Sequence, residues 1–483
     1  MNAKCHPCLA AVVLTGSLLL IAQSLRADPR IDSWFTQNSG KYARIYATSA
    51  DESSGNSVTT WSRGSGTQSL PVYAGVREVS SSSNWVYIRS SGLASYVMGP
   101  WYLNAAKTQL FPNYPANAKV LYRIPRNPTV PATKTLTGLG AVGYFVNGVA
   151  LFDNRDAFYW NGSSEVQGTG LWNRDAYVNE SVTFDAALAH QAGANHHYHA
   201  NPIALRYQLG DHVDYNSTNN RYTESTNAPL KHSPIVAWVR DGFPIYGPYG
   251  YSNPTNPASG VRRMVSGFVI RNGQNGTANL AVTGRTNLPA WAARANNRSA
   301  TLSATEYGPN VSTTYPLGRY IEDNDYLGDL GKTLGVDFDL DEYNCRYCVT
   351  PEFPNGTYAY FVTITASSAP AFPYNLGRTF YGDPTGNTVA SITETVTTNF
   401  VGGANANLQI SPPVVTNNSV TLVWSATEGG TYRVESSNNL VGWTTNATGV
   451  AAIFNRGTVT VPGTSTNQFF RVTRTGLATY DSN

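Results

Sequence analysis

Charge is scarce along the chain. Only 13% of its 483 residues are charged, and 33 basic against 30 acidic residues leave a formal net charge of +3. Binding to nucleic acid depends on clustered basic side chains that neutralise phosphates. The near-neutral composition therefore argues against nucleic acid as a partner.

Long hydrophobic runs are also scarce, and the one clear run lies close to the N-terminus. It covers residues 9–21, follows Lys4 and is succeeded by Ser24-Leu25-Arg26-Ala27. This pattern is typical of a cleavable signal peptide, and the run is shorter than the roughly 20 apolar residues that span a bilayer. We therefore predict a signal peptide over residues 1–27, a secreted protein (extracellular or periplasmic), and no membrane span after cleavage.

Cysteine is nearly absent. Two of the four cysteines lie in the predicted leader, which leaves Cys345 and Cys348 in the sequence Cys-Arg-Tyr-Cys. In an oxidising compartment this spacing predicts a small local disulfide. Redox chemistry is less favoured because no helix follows the motif, and a zinc site shared with histidines would need reduced thiols outside the cell.

Glycine and tyrosine, by contrast, are abundant, with 43 and 30 copies. Together with short alternating apolar segments they favour strands and tight turns, so we predict an all-β, mainly antiparallel fold. The length indicates several domains. After the leader we expect a β-rich segment (28–137), a large β-rich domain (138–385), a linker (386–407) and an Ig- or fibronectin-like β-sandwich (408–483).

Prolines and turn-forming residues add detail to this organisation. Five prolines between residues 111 and 137 suit an extended connection rather than a helix or a central strand. The segments 143–149, with Asn-Gly in its turn, and 241–247 are predicted to be hairpins on the surface beside a core.

Histidines are concentrated in one part of the chain. Outside the leader they all lie between residues 190 and 232: His190, His196, His197, His199, His212 and His232. Side chains alternate between the two faces of a strand, so His197 and His199 share one face while His196 and Tyr198 share the other. Two imidazoles on one face are half of a zinc or copper site. A third or fourth ligand could come from another histidine, a tyrosine or a carboxylate, and a hydrogen-bonded cluster without metal is the alternative.

The same region carries a family resemblance. Residues 196–211 resemble the first signature of the bacterial YHYH-domain family, with His196 where tyrosine is usual; residues 241–251 resemble the second and residues 340–344 a third. The likeness covers roughly residues 143–383. The family has no established activity, so the resemblance implies a shared domain rather than a reaction. It often repeats the histidine motif near the end of the domain, where residues 357–363 of this chain contain no histidine.

This resemblance and the clustering of histidines together define the candidate site. The predicted metal ligands are His196, His197, His199, His212 and His232. The resemblance makes Asp341 and Glu342 candidate catalytic residues, as a general base or as support for a metal-bound imidazole. It also draws attention to Asp241 and Tyr246 of the second signature as ligand contacts.

The acidic stretch from residue 322 to residue 342 suggests a further cation. Calcium favours oxygen-rich loops, but the stretch lacks EF-hand spacing, and carboxylates also form turns and pair with arginines. Calcium is thus one of two interpretations of this region.

Two functions from different classes follow. The first is a transition-metal-binding domain or metal-dependent enzyme. The second is a non-catalytic extracellular protein that recognises glycan or protein through an aromatic platform of Trp238, Tyr246, Tyr249 and Tyr251. A serine hydrolase is not supported, because no Gly-x-Ser-x-Gly elbow accompanies the histidines.

Overall fold

Strands dominate the molecule. The computed structural model describes residues 28–463 and 468–482, and the predicted signal peptide (1–27) lies outside these residues. The all-β prediction is confirmed, since the described helices have only four to six residues. No helix in the described part of the chain has the length and apolarity needed to cross a membrane.

The helices are short connections between strands. Their bounds are α1 Pro29–Asp32, α2 Ser49–Ser54, α3 Ala176–Glu180, α4 Ile203–Gln208, α5 Leu280–Thr283 and α6 Ala290–Ala295. Turns of 3₁₀ helix cover Ser181–Thr183, Ala304–Glu306, Ile321–Asp323, Leu327–Leu330 and Gly403–Asn405.

The strands fall into three groups along the chain. The first group is β1 Arg44–Ile45, β2 Trp61–Arg63, β3 Gly66–Gln68, β4 Val76–Ser81, β5 Trp85–Ser90, β6 Val97–Met98 and β7 Val120–Pro125. The second group is β8 Ala141–Phe145, β9 Ala150–Phe152, β10 Arg155–Trp160, β11 Glu165–Gln167, β12 Asn173–Asp175, β13 Ala189–Ala192, β14 Asn195–Tyr198, β15 Val213–Asn216, β16 Arg221–Glu224, β17 Ile235–Val239, β18 Pro244–Tyr246, β19 Tyr249–Asn253, β20 Asn256–Arg263, β21 Phe268–Ile270, β22 Asn324–Tyr326, β23 Cys345–Cys348 and β24 Thr357–Phe361. The third group is β25 Asn387–Thr388, β26 Thr397–Val401, β27 Val414–Thr416, β28 Ser419–Ser425, β29 Gly430–Ser437, β30 Thr444–Ala451, β31 Arg456–Pro462 and β32 Phe469–Leu477.

An eight-stranded sheet forms the centre of the molecule, in the order β13-β14-β9-β8-β17-β18-β24-β23. Both predicted hairpins are confirmed, as β8–β9 and β17–β18, and they supply its four middle strands. Their prediction as surface hairpins is wrong, because all five residues of β17 are buried. A strand covered on both faces reads as a continuous apolar run, here Ile-Val-Ala-Trp-Val.

A five-stranded sheet, in the order β25-β7-β5-β4-β26, shares one apolar core with the eight-stranded sheet. Strand β7 lies inside this sheet, although the prolines around it suggested a mere connection. Pro125 ends the strand, so proline removes no donor from its middle. The segment predicted as a linker (386–407) also contains strands, since it supplies β25 and β26, the two edge strands of this sheet.

The C-terminal strands form two three-stranded sheets, β27-β28-β31 and β30-β29-β32. They enclose a separate small core around Trp424 and Val434. Glu428 ties this unit to the N-terminal segment by accepting from the backbone N–H of Tyr42 and pairing with Arg44. Its relation to Ig or fibronectin modules stays a prediction.

The structure contradicts the predicted disulfide. Cys345 and Cys348 are both free and buried, at the two ends of β23, which pairs residue by residue with β24. A rise of about 3.3 Å per residue places their Cα atoms roughly 10 Å apart, whereas a disulfide needs less than about 7 Å. A regular strand therefore keeps the two thiols apart.

Candidate metal centre

The β13–β14 hairpin brings a third histidine to the predicted pair. Gly193, in the left-handed conformation with φ of 59°, lies in the two-residue turn, and the resulting register places His190 directly opposite His197. Directly opposed residues project from the same face, and alternation along the strand adds His199 to that face. All three side chains are buried.

Their ring nitrogens converge. One ligand atom from each of His190, His197 and His199 lies within 4.8 Å of the other two. The Nε2 atoms of His197 and His199 are 3.0 Å apart. Oε2 of Glu180 lies 3.2 Å from Nε2 of His199 and 3.6 Å from Nε2 of His190. Three imidazoles and one carboxylate thus lie within a few ångströms of one another.

Hydrogen bonds on the far side of each ring determine the tautomers. Nδ1–H of His197 donates to the carbonyl oxygen of Asn195 (2.9 Å), and Nδ1–H of His199 donates to that of Asp153 (2.7 Å). A carbonyl oxygen accepts only, so both protons must lie on Nδ1. In the neutral rings the two Nε2 lone pairs therefore face each other.

Thr183 sets the tautomer of the third histidine. Its hydroxyl donates to the carbonyl oxygen of Glu180 at 2.7 Å and lies 2.7 Å from Nδ1 of His190. Because a threonine hydroxyl has only one proton, it accepts from Nδ1–H of His190. The Nε2 lone pair of His190 then also points into the cluster, where it has no hydrogen-bond partner.

Glu180 reaches the cluster from the end of helix α3. Asp175 caps the N-terminus of the helix: its carboxylate accepts from the backbone N–H of Val178 and from the hydroxyl of Tyr374, at 2.9 and 2.8 Å. Buried Tyr374, almost two hundred residues downstream, thereby anchors the start of the helix. The 3₁₀ turn that follows carries Thr183, so one short segment positions both Glu180 and the partner of His190.

Burial and charge divide the cluster into neutral and charged groups. Burial lowers the pKa of His190 to about 3 and lowers that of His197, so both rings are neutral, the form that binds metal. Burial opposes a charge on His199 as well, but contact with Glu180 outweighs it and raises the pKa of His199. The same contact lowers the pKa of Glu180 against the effect of burial.

The cluster lies in the wall of a cleft of about 580 Å³. Apolar and amide side chains share its lining with the histidines, among them Phe111, Leu139, Phe152, Gln167 and Gln191. Phe152 stacks on the ring of His197, with centroids 3.9 Å apart. The cleft provides access to the converging nitrogens and space for a small molecule beside them.

A family model described as YHYH protein matches residues 121–372, just over half of the chain. The chain belongs to the YHYH protein family. The match contains the whole histidine cluster and all eight strands of the central sheet, whereas strands β25 to β32 lie outside it. Neither a curated protein nor a solved structure matches the chain.

Three predicted ligands lie apart from the cluster in the YHYH domain. His196 points to the opposite face of β14, as alternation requires, and its ring makes an edge contact with Trp101 at 5.9 Å. His212 packs edge-on against Tyr249. His232 donates from Nδ1 to its neighbouring carbonyl oxygen, that of Ser233, at 2.8 Å.

The proposed catalytic pair is remote from the cluster as well. Asp341 precedes β23, and six strands separate β23 from β13 in the sheet, a distance of about 33 Å at normal strand spacing. Asp341 accepts from the backbone N–H groups of Tyr343 and Cys345, whereas Glu342 pairs with Arg294. Both carboxylates stabilise the local fold instead of supporting the histidines.

The absence of the family's second histidine motif from residues 357–363 of this chain does not remove a ligand from the site. Strand β24 occupies this segment, and four strands lie between it and β14. The two segments therefore do not face each other as a pair.

The acidic stretch uses its carboxylates in ion pairs. Asp323 pairs with Arg285 at 2.7 Å, and Asp329 pairs with Arg294 at 2.7 Å. Glu322 accepts from the backbone and side-chain amides of Asn173. These contacts match the arginine-pairing interpretation of the stretch rather than the calcium interpretation.

The second-signature residues have structural roles. Buried Asp241 accepts from the hydroxyl of Tyr360 at 2.7 Å, and the hydroxyl of Tyr246 donates to Glu352 at 2.9 Å. Trp238, Tyr246 and Tyr249 of the suggested aromatic platform are at most 7% exposed. These three rings are packed in the core and cannot form a binding surface, and of the four platform residues only Tyr251 is partly exposed.

Sequence reasoning included His190 only as one of several options and missed Glu180. The turn at Gly193 could have identified His190, because a two-residue hairpin pairs residues 190 and 197. Nothing in the local sequence indicates Glu180, whose position depends on how helix α3 packs beside the sheet.

Proposed function

We propose that this YHYH protein binds one transition metal ion, zinc or copper, through Nε2 of His190, His197 and His199. One observation carries the proposal: three Nε2 lone pairs and a carboxylate oxygen converge, and among the described residues no neutral N–H or O–H group donates to them. Four buried acceptors repel one another unless a cation lies between them.

A proton is the simplest cation, but it can form only one hydrogen bond between two of the four acceptors. Shared between His199 and Glu180, it leaves the lone pairs of His190 and His197 without a partner. A metal ion about 2.0–2.1 Å from each ligand satisfies all of them, with ligand atoms roughly 2.9 Å apart in square or octahedral geometry and 3.3 Å apart in tetrahedral geometry. The observed 3.0 and 3.2 Å fall in this range, and the 3.6 Å between Oε2 of Glu180 and Nε2 of His190 lies slightly above it, so His190 must move a little to share the ion.

The surroundings of the site favour a metal ion that is accessible to ligands over one that is enclosed by protein. A metal ion in the wall of a cleft can bind water or a small molecule in addition to its protein ligands, as catalytic zinc does when it becomes five-coordinate. Here the histidines line a cleft of about 580 Å³, large enough for a small ligand. The proposal therefore includes a ligand-accessible ion, and the leader sequence supports action outside the cytoplasm.

Elemental analysis tests the metal directly. The untagged protein, from Asp28 onward, is compared with His197→Ala/His199→Ala and with His212→Ala, a control that removes a histidine outside the cluster. Near-stoichiometric zinc or copper is expected in the wild type and the control and should be lost in the double variant. A folded wild-type protein that stays metal-free after reconstitution would contradict the proposal.

Export is tested separately. Fractionation of the source cells, with N-terminal sequencing of the mature protein, should find the protein outside the cytoplasm with its leader removed. A cytoplasmic protein that retains residues 1–27 would overturn this part of the proposal.

A further inference from the structure

Glu180 differs from the other carboxylates of the cleft. Asp153 pairs with Arg155 and Asp156 pairs with Arg174, both at 2.7 Å. Glu180 has only histidines as ion-pair partners among the described residues. Two of the three carboxylates are thus neutralised by arginines, and the charge of the third is directed at the imidazole cluster.

The position of Glu180 matches that of a ligand. Its Oε2 atom is buried and without a hydrogen-bond donor, although the side chain as a whole is 28% exposed. The distances of 3.2 and 3.6 Å to two Nε2 atoms bracket the roughly 3.3 Å edge of a tetrahedron with ligand bonds of 2.0–2.1 Å. Oε2 can therefore share an ion with those nitrogens after only a small movement.

The charge of Glu180 also bears on which ion is bound. Three neutral imidazoles leave the full charge of a divalent ion uncompensated in a buried site, and one carboxylate halves it. Carboxylate oxygen suits harder divalent ions, whereas Cu(I) is soft and favours sulfur ligands. The described lining of the cleft contains neither cysteine nor methionine.

We infer that Glu180 is the fourth ligand of the metal and that its carboxylate makes the site select divalent ions over Cu(I). This inference rests on the proposed metal-binding function and deepens it. Helix α3 holds the carboxylate in place, and the 3₁₀ turn after it holds His190 through Thr183, so the segment that follows β12 completes the site formed by the hairpin.

Parallel titrations test the ligand and its selectivity. Wild type, Glu180→Gln and the control Glu52→Gln are titrated with Co(II), followed by its visible absorption, with Zn(II) against a chelator, and with Cu(I) against a Cu(I) chelator under anaerobic conditions. Glu52 is a matched control because it also lies on a short helix and accepts one side-chain hydrogen bond, from Asn220, away from the cleft lining.

Glu180→Gln should weaken Co(II) and Zn(II) binding by about 10-fold or more and change the Co(II) spectrum. Its Cu(I) affinity should stay close to that of the wild type, and Glu52→Gln should leave all three titrations unchanged. Glu180→Asp, which keeps the charge on a shorter arm, should retain the preference for divalent ions and replaces Glu180→Gln if that variant does not fold.

Three outcomes separate the inference from the proposal beneath it. If Glu180→Gln keeps wild-type Co(II) affinity and spectrum, Glu180 is not a ligand although the histidine site stands. If Cu(I) affinity falls as far as Zn(II) affinity, the selectivity is overturned. If the wild type binds none of the ions, the proposed function itself fails.

Discussion

Replacing Thr183 by valine should weaken metal binding without touching a ligand. The hydroxyl accepts from Nδ1–H of His190 and donates to the carbonyl oxygen of Glu180, both at 2.7 Å. Valine has nearly the same shape but leaves that Nδ1–H unpaired in a buried position, at a cost of about 1–3 kcal/mol. It also lets His190 adopt the other tautomer, whose Nε2 carries a proton and cannot bind metal.

If this cost falls on the metal-bound state, Zn(II) affinity should drop roughly 5- to 140-fold, at 1.4 kcal/mol per tenfold change. Competition with a chromophoric chelator measures the drop. Thr183→Ser keeps the hydroxyl and should bind nearly as the wild type does. Thr363→Val is the matched control, because it removes a hydroxyl that donates to a backbone carbonyl at 2.7 Å elsewhere in the fold. Unchanged affinity in Thr183→Val, or equal losses in the valine and serine variants, would refute the assigned role.

Three more outcomes follow from the structure. Burial raises the pKa of Cys345 and of Cys348, so both thiols should resist Ellman's reagent in the folded protein and react after denaturation in guanidinium. Two sulfurs that stay unreactive after denaturation would instead indicate the disulfide. Tyr360→Phe removes a buried hydrogen bond to Asp241 and should lower the free energy of unfolding by about 1–3 kcal/mol while metal content stays the same; reduced metal content would link the two regions. Removing the metal with a chelator should lower the melting temperature, and free Zn(II) at about 100 times its dissociation constant should restore about 2.7 kcal/mol of the free energy of unfolding. The variant His197→Ala should not respond to Zn(II). An identical response of that variant would place the binding elsewhere.

The prediction of the histidine face succeeded for a local reason. Alternation along an extended chain is a property of backbone geometry, so His197 and His199 had to share a face and His196 had to oppose them once the segment was a strand. Including His196 and the more distant His212 and His232 among the ligands relied on clustering in sequence alone. Closeness along the chain does not imply closeness in space. The helix, strands and turns between β14 and β17 place His212 and His232 away from the cluster.

The hairpins show the same division between local and tertiary information. Asn147-Gly148 supplies the turn that joins β8 to β9, and Asp241-Gly242 follows β17, so both hairpins could be predicted from a few residues. Their depth in the molecule could not. Whether a short hairpin lies at the edge or in the middle of a sheet depends on which distant strands pair with it. Here the two hairpins pair with each other through β8 and β17.

The sequence by itself determined the all-β class, the two hairpins and the shared face of His197 and His199, because strand propensity, turn chemistry and side-chain alternation act over a few residues. Only the tertiary structure decided that His190 and Glu180 complete the cluster and that Asp341 lies at the opposite edge of the sheet. Those decisions depend on strand order, hairpin register and the packing of helix α3, which bring together or separate residues according to contacts made far along the chain.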